Sequence, residues 1–305
     1  MKVMEPTVEK TPPLTGAQWR QLIGLTVAAL VVFAVFRWLP TGTNLSHGDF
    51  RLEGDNVLEF CDPSAPQFLP VTTARSPVSF DVTPAMATAG QPTTFTLRLA
   101  TSSGKQIGPV DLMVAHTRKL HVMAVDPTLT DYLHVHPEPT ETPGEWTVAF
   151  TPHTTGTYRL FADFTPAATA RGLYASADIE VDGRSGDDRE AKADGFRYEL
   201  RFEQEILRAR EPIDMTLKIW RDDGGAVHLG KVMGAFAHLV AFDRERSGFA
   251  HLHPRETDLR MTLDPESPEL HFQVTIPKEG EYVIWAQMVF DEIETFVPFW
   301  FSVML

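Results

Sequence analysis

Short runs in which apolar and polar residues alternate fill the chain from residue 78 to residue 305, and they predict β-strands. The runs are rich in β-branched and aromatic residues, and Pro or Gly separates them every ~8–15 residues. Representative runs are TFTLRLA, LHVMAVD, WTVAFTP, YRLFADF and ADIEV. The pattern therefore predicts an all-β region built of antiparallel β-sandwiches.

Residues 21–39 show a different pattern, because they are almost entirely apolar and carry Arg37 as their single charged residue. A run of about 18 such residues spans roughly 27 Å as a helix, which is just enough for a bilayer core of about 30 Å. Trp19 and Trp38 stand near its two ends, where tryptophans meet the membrane surfaces. We expect an uncleaved transmembrane helix. A cleaved signal peptide is the alternative, although no A-x-A-like site follows Phe36.

The charges on either side of this helix predict its orientation. Lys2, Lys10 and Arg20 precede the apolar run and only Arg37 and Arg51 follow it closely, so the positive-inside bias favours a cytoplasmic N-terminus. In a bacterial inner membrane, a single pass of this kind places the bulk of the chain in the periplasm. The predicted divisions are a cytoplasmic tail at 1–20, the helix at 21–39, and an extended spacer rich in Pro, Thr and Asn at 40–77.

The β-rich region repeats itself. Three histidines in each half share one spacing, 13 residues from first to second and 2 from second to third; they are His121, His134 and His136, and His238, His251 and His253. GQPTTFTLRL is echoed by REPIDMTLKI, and GTYRLFADF is echoed by GEYVIWAQM. Repetition of this kind indicates two copies of one structural module. We assign module one to residues 78–182, a charged linker to 183–195 and module two to 196–305.

The spacing also predicts how the histidines lie on their strands. If residues 126–131 form the turn of a symmetric hairpin, Met123 pairs with His134, and Val240 pairs with His251 in module two. The three imidazoles of each module then share one face. Three imidazoles suit copper or zinc, and a neighbouring thioether favours copper. We predict that any bound metal is copper, and that module one binds it better because it has Met123.

Two further observations bear on these histidines. His116 and Met233 each lie five residues before the first histidine of their module, and both are candidate additional ligands. The alternative is a structural role, because His121 and His238 lie between apolar neighbours and a buried neutral histidine can simply hydrogen-bond within a core. Both interpretations stay open at the level of the sequence.

Composition and motifs limit the function further. The formal net charge of −14, without any Lys/Arg-rich run, argues against nucleic-acid binding. Cys61 is the single cysteine, so the chain has no intramolecular disulfide, and we expect this thiol to be unpaired in the spacer. No P-loop, nucleophile elbow or H-E-x-x-H motif occurs, and Asp163 of module one is replaced by Gln287 in module two. We therefore expect a protein that is not an enzyme.

The central histidine, the H-x-H-P motif and the following GTYRLFADF resemble YtkA-like domains, and the strand pattern is similar to cupredoxin-like and immunoglobulin-like sandwiches of bacterial periplasmic proteins. The resemblance covers both modules but not residues 1–77. It implies two cupredoxin-like/Ig-like β-sandwiches in tandem and a place near copper-handling systems. A blue-copper site needs a Cys ligand, and neither module contains Cys, so electron transfer through such a site is not predicted.

The two ends of the chain are the candidate partner contacts. Small residues in the apolar helix permit close helix packing, and the C-terminal FVPFWFSVML has more aromatics than one strand needs to fill a core. These candidate contact residues are Gly24, Ala28, Ala29, Phe296, Phe299, Trp300 and Phe301. The leading hypothesis is an accessory or structural subunit of an inner-membrane complex, such as a respiratory or photosynthetic one, which contacts lipid and other subunits and requires no cofactor. The alternative hypothesis is a periplasmic copper-binding protein for delivery, sensing or resistance.

Overall fold

The computed structural model of the protein is described at residues 15–38, 45–50, 66–184 and 195–305. Residues up to Asn44 and residues from Leu45 onward separate into two units, and each is described by itself. The tail before residue 15, Cys61 and most of the expected linker at 183–195 lie outside the described residues.

The apolar run near the N-terminus forms helix α1 (Gly16–Trp38), which begins five residues before the expected start at residue 21. Thr15 caps the helix, because its hydroxyl accepts a hydrogen bond from the backbone N–H of Gln18 while Gln18 Oε1 accepts one from the backbone N–H of Thr15. By length and composition, the helix can cross a membrane over Gly16–Val35. The small residues expected to contact a partner are exposed on it; they are Gly24, Ala28 and Ala29.

Sixteen strands and two short 3-10 helices, His47–Phe50 and Pro109–Asp111, are found in the described part of residues 45–305. The strands of module one are β1 (Val78–Thr83), β2 (Met86–Thr88), β3 (Thr93–Thr101), β4 (Leu120–Val125), β5 (Tyr132–Val135), β6 (Glu138–Pro139), β7 (Glu145–Phe150), β8 (Gly156–Phe164) and β9 (Leu173–Asp182). The strands of module two are β10 (Phe196–Phe202), β11 (Pro212–Arg221), β12 (His238–Asp243), β13 (Phe249–Leu252), β14 (Glu269–Thr275), β15 (Gly280–Phe290) and β16 (Ile293–Val303).

Each module is a sandwich of two sheets. The outer sheets have the strand orders β1-β3-β7-β6 and β10-β11-β14, and the inner sheets have the orders β2-β9-β8-β4-β5 and β13-β12-β15-β16. All neighbouring strands are antiparallel except β2 and β9. The shared order, β5-β4-β8-β9 in one inner sheet and β13-β12-β15-β16 in the other, confirms the prediction of two antiparallel sandwiches in tandem.

The two inner sheets pack face to face, so the modules form four layers with three apolar cores between them. Strand β4 shows how the sequence produces this arrangement, because all six of its residues are buried. Val122 and Ala124 lie in the core of module one, whereas Met123 and Val125 lie in the core that the two modules share. Strand β12 alternates in the same way between the core of module two and the shared core.

Aromatic rings from both modules meet in the shared core. Tyr132 of β5 stacks on Trp285 of β15 with ring centroids 5.7 Å apart, and Phe161 of β8 stacks on Phe242 of β12 at 5.9 Å. All four side chains are buried. Pairs of this kind contribute about 0.5–1.5 kcal/mol each beyond the area that they bury. The docking of one module on the other is therefore stabilised in the same way as a domain core.

The region expected to be an extended spacer at 40–77 contributes to the cores instead. Phe68 lies in the core of module two and Leu69 lies in the shared core. Leu69 also exchanges backbone hydrogen bonds with Phe249 at 2.8 and 3.1 Å. Gly248 permits this approach, because a Cβ there would lie 1.6 Å from the Leu69 carbonyl oxygen. These buried apolar residues explain why the described part of this region packs on the modules.

The C-terminal aromatics are used largely within the chain, which corrects the expectation that all of them contact a partner. Phe301 is buried and stacks on Tyr282 with centroids 5.6 Å apart. Phe296 is half-buried and meets Tyr132 of module one edge to face at 5.7 Å. Phe299 is half-buried against the core of module two, and Trp300 remains 47% exposed. The apparent excess of aromatics arises because β16 contributes to both its own core and the surface that faces module one.

Candidate metal centre

The two groups of three histidines lie on the faces of the inner sheets that turn toward each other. On β4, His121 lies on the same face as Met123 and Val125 of the shared core. On β12, His238 lies on the same face as Val240 and Phe242. We call His121, His134 and His136 triad one, and His238, His251 and His253 triad two. The docking of the modules brings the triads together at one end of the shared core.

The predicted strand register is confirmed in both modules. Met123 pairs with His134 between β4 and β5, and Val240 pairs with His251 between β12 and β13. Within each triad, one nitrogen from each ring lies within 4.8 Å of the other two, which is a spacing able to hold a metal ion. Whether the triads bind metal stays a prediction, and so does the better binding expected of module one.

Each triad is held by a polar side chain from the opposite module. His134 Nδ1 lies 2.8 Å from Gln287 Oε1, and His251 Nδ1 lies 3.3 Å from Asp163 Oδ2. The two partners occupy equivalent positions, because Asp163 pairs with His121 on β8 and Gln287 pairs with His238 on β15. A histidine that ligates a metal typically donates its other ring N–H to such a partner, which fixes the orientation of the ring.

The hydrogen bonds of triad one determine which ring nitrogens carry protons. The carbonyl of Ala115 can only accept, so His121 donates to it from Nε2 at 3.0 Å. Gln287 is oriented by its own amide donating to Glu294, so His134 donates from Nδ1 to the oxygen of Gln287. A neutral imidazole has one N–H, and therefore His121 Nδ1 and His134 Nε2 face each other with lone pairs at 3.3 Å. A cation at this point would remove the repulsion between them.

Triad two is arranged differently. His251 donates from Nδ1 to Asp163, so its Nε2 accepts, and His238 Nδ1 lies 2.9 Å from that nitrogen. His238 can therefore donate to His251 and relieve the contact without any cation.

The Nε2 atoms of His136, His238 and His253 are buried and have no hydrogen-bond partner among the described residues. Unpartnered buried ring nitrogens are costly, and a bound ion or water would satisfy them.

Burial keeps these imidazoles neutral, and neutral imidazole is the form that binds metals. Removal from water lowers the pKa of His134 and of His251 well below the usual range. The same cause lowers the pKa of His136 to about 4 and the pKa of His253 to about 2. Burial also raises the pKa of Asp163 above its usual range.

His116 joins the site from a tight turn that both modules contain. His116 and Thr117 have φ angles of 47° and 68°, and the equivalent Met233 and Gly234 have 48° and 78°. Two backbone hydrogen bonds between the flanking residues close each turn. The turn of module one lays the ring of His116 against the ring of His253, with centroids 3.9 Å apart. His116 therefore contacts the opposite module, whereas the sequence suggested a ligand for its own triad.

A cavity of about 680 Å³ reaches the histidines from one side. Its lining includes His116, His121, His251 and His253, so residues of both triads face it, together with Asp163. The packed segment at Gln67 and Leu69 covers part of its edge. The cavity gives small ions and molecules a route to the cluster.

A structural histidine elsewhere in the fold provides a useful contrast. His153 is buried, and its Nδ1 lies 3.3 Å from Asp131 Oδ1 while its backbone N–H donates to the other carboxylate oxygen at 2.7 Å. Tyr158 donates to the same carboxylate. His251 makes a similar contact with Asp163, but the triads differ from His153 because the buried Nε2 atoms of His136, His238 and His253 have no hydrogen-bond partner among the described residues.

In the sequence, the replacement of Asp163 by Gln287 argued only against catalysis. The structure gives both a role toward the opposite triad. The signal was present as a polar residue at the same position of two otherwise apolar strands, FADF and WAQM. The missing information was that this face of the sheet would be covered by the other module.

Comparison with known proteins gives one family. The model of the family described as "Domain of unknown function (DUF8832)" matches the chain twice, at residues 73–182 and 191–304. A search of curated proteins finds no match. The cupredoxin-like and YtkA-like resemblance has no counterpart in these findings and stays a prediction.

Several solved β-rich structures are similar to the chain at a low level. FdeC, an adhesin of Escherichia coli, is 12% identical with a TM-score of 0.25, over 75% of this chain and 64% of that one. The native E. coli alpha-2-macroglobulin is 12% identical with a TM-score of 0.26, over 78% and 17%. The Yersinia pseudotuberculosis adhesin InvE is 11% identical with a TM-score of 0.22, over 78% and 60%. The chain thus spans less than two thirds of each, and at these TM-scores the similarity carries no functional argument.

Proposed function

The chain belongs to the family described as domain of unknown function (DUF8832), and we propose from its candidate site that it is a membrane-anchored copper-binding protein. The observation that carries the proposal is the pair of lone pairs that His121 and His134 direct at each other across 3.3 Å. Hydrogen bonds to Ala115 and Gln287 hold both rings in this orientation. A cation bound between the two nitrogens would explain why their lone pairs face each other.

The ligand chemistry favours copper. Each triad offers imidazoles alone, without thiolate or carboxylate ligands, and imidazole suits copper, zinc, iron and nickel. Among divalent ions, copper binds nitrogen ligands most tightly. Met123 is the Cα partner of His134 on the neighbouring strand, so a thioether that suits Cu(I) stands beside triad one. Helix α1 would anchor the modules to a membrane, with the modules in the periplasm of a bacterium.

Copper stoichiometry tests the proposal directly. The full chain, purified without a polyhistidine tag and stripped with a chelator, should retain two copper ions per chain after Cu(II) loading and desalting. The double variant His121→Gln/His238→Gln should retain none, because each triad loses one of three ligands. His271→Gln is the matched control, since His271 is exposed and bonds Glu256 outside the triads. Wild-type protein without copper, or a double variant with undiminished copper, would refute the function.

An accessory role in a membrane complex is the second candidate. It is supported by the exposed apolar side chains of α1 and by Trp300, which is 47% exposed on β16. Co-purification in mild detergent should yield partner subunits with the wild-type chain and fewer with Trp300→Ser. Val110→Ser is the control, because Val110 is an exposed apolar residue of module one. A lone monomer under conditions that preserve other membrane assemblies would reject this role.

A further inference from the structure

We infer that the two triads form one binuclear copper centre, with the cavity as the shared binding site for a small anionic ligand. This inference rests on the proposed copper binding. It goes further, because two independent copper sites would need neither the proximity of the triads nor a common opening.

Proximity is the first observation. Between triads, the ring centroids of His134 and His251 lie 5.5 Å apart, those of His121 and His251 lie 6.0 Å apart, and those of His134 and His238 lie 6.3 Å apart. Within triads, the six ring pairs lie 4.5–5.5 Å apart. These three ring pairs between the triads are thus nearly as close as the rings of one triad. Two ions held by them would be near neighbours.

The interlocked hydrogen bonds are the second observation. Gln287 of module two orients a ligand of triad one, and Asp163 of module one orients a ligand of triad two. His116 of module one also stacks on His253 of triad two. Neither triad has its complete surroundings without the opposite module, so the centre is one unit rather than two modules that happen to touch.

Charge and space together point to the ligand. Two Cu(II) ions would bring four positive charges to neutral imidazoles, and Asp163 is the carboxylate that contacts the triads among the described residues. Buried positive charge of this size requires anions to compensate it. The cavity of about 680 Å³ is lined by His121 of one triad and by His251 and His253 of the other. A small anion in it is placed to reach both ions.

Magnetic coupling between the ions tests the inference. The stripped full chain would be titrated with Cu(II) and followed by electron paramagnetic resonance. The fully loaded protein should show a half-field transition, or an integrated spin count well below two per chain. His253→Gln should leave one copper with the spectrum of an isolated ion. His136→Gln, in the other triad, gives a second single-copper variant should the first fail to fold, and circular dichroism checks both.

Azide serves as the probe for the cavity. It should bind once per pair of ions and change the coupled spectrum, whereas each single-copper variant should bind it more weakly. Two bound coppers whose spectra are uncoupled and add simply would overturn the binuclear centre and leave the proposed copper binding standing. Coupled copper ions that do not respond to azide would overturn the shared anion site. Absence of any copper would overturn the inference and the proposed function together.

Discussion

Triad one and triad two have the same three imidazoles at the same strand positions, yet their surroundings differ. His251 of triad two donates a hydrogen bond to the carboxylate of Asp163, whereas His134 of triad one donates one to the neutral amide of Gln287. Negative charge behind an imidazole makes it a more basic ligand and favours the higher oxidation state of a bound metal. Triad one instead has a thioether neighbour, Met123, where module two has Val240. The repeat teaches that equal sets of imidazoles can have different outer neighbours. Under the proposed copper binding, we expect module two to favour Cu(II) and module one to favour Cu(I).

The largest effect should come from removing one ligand from each triad in turn. His251→Gln should abolish tight copper binding in module two and leave one copper per chain, and His134→Gln should do the same to module one. Losing a ligand should exceed the roughly 10–100-fold weakening that loss of an outer partner causes. Copper retained against a competing chelator is the measurement. Loss of both ions from either variant would show that the triads cannot fill separately.

Exchange of the outer partners should have the next largest effect. Asp163→Asn keeps the hydrogen-bond acceptor but removes the charge, so it should weaken Cu(II) binding in module two about 10–100-fold. Gln287→Glu adds the charge behind His134 and should strengthen Cu(II) binding in module one. Competition titrations on the His134→Gln and His251→Gln backgrounds resolve the two sites. Unchanged Cu(II) affinity in Asp163→Asn would break the proposed difference between the modules.

Acid should distinguish the modules as well. The folded pKa is about 4 for His136 and about 2 for His253, below the usual value of 6.5. At a pH between 6.5 and these folded values, the unfolded chain therefore binds more protons than the folded chain. Stability of the metal-free protein is therefore fully present above about pH 6.5 and is lost as the pH falls toward 4. Each such histidine contributes at most about 1.4 kcal/mol per pH unit. Urea unfolding between pH 7 and pH 4 measures this slope.

The same shifts predict the order in which acid releases copper. In the metal-free protein His136 takes up a proton at a higher pH than His253. For equal intrinsic copper affinities, competition from protons should therefore release the ion of triad one first as the pH falls. Copper retained after dialysis at stepwise lower pH, in the two single-triad variants, checks the order. Release from triad two first would contradict the burial difference between the modules.

Exchange of residue 123 should have the smallest effect. Met123→Leu conserves volume in the shared core, so it should cost less than about 1.5 kcal/mol in unfolding free energy. It should lower Cu(I) affinity in module one several-fold and leave Cu(II) affinity unchanged, because the thioether is a soft ligand. Val240→Met is the reciprocal variant. Equal Cu(I) affinity in wild type and Met123→Leu would show that the Met123 thioether does not contribute to Cu(I) binding in module one.

The sequence was sufficient for the sandwiches, the repeat and the hairpin register, because these depend on local alternation and on short spacings. Met123 opposite His134 followed from counting residues across one turn. The docking of the modules could not be predicted in that way. His134 and Gln287 are 153 residues apart, and an apolar strand such as β4 shows that both its faces are covered without showing what covers them. The packing of Phe68 was missed because Pro66 precedes and Pro70 interrupts the short apolar run FLPV, which therefore does not show the alternation of a strand.

The packed segment that contains Phe68 and Leu69 also limits the order in which parts of the chain can fold. Leu69 precedes module one in the chain, yet it pairs with Phe249, 180 residues later, in module two. A polypeptide that emerges with its N-terminus first therefore presents this segment long before its partner strand exists. Such long-range contacts form late, since the entropy of closing the intervening loop must be overcome first. We therefore expect Leu69 to dock on Phe249 only after β13 has been synthesised, so that this edge of the cavity forms late in folding.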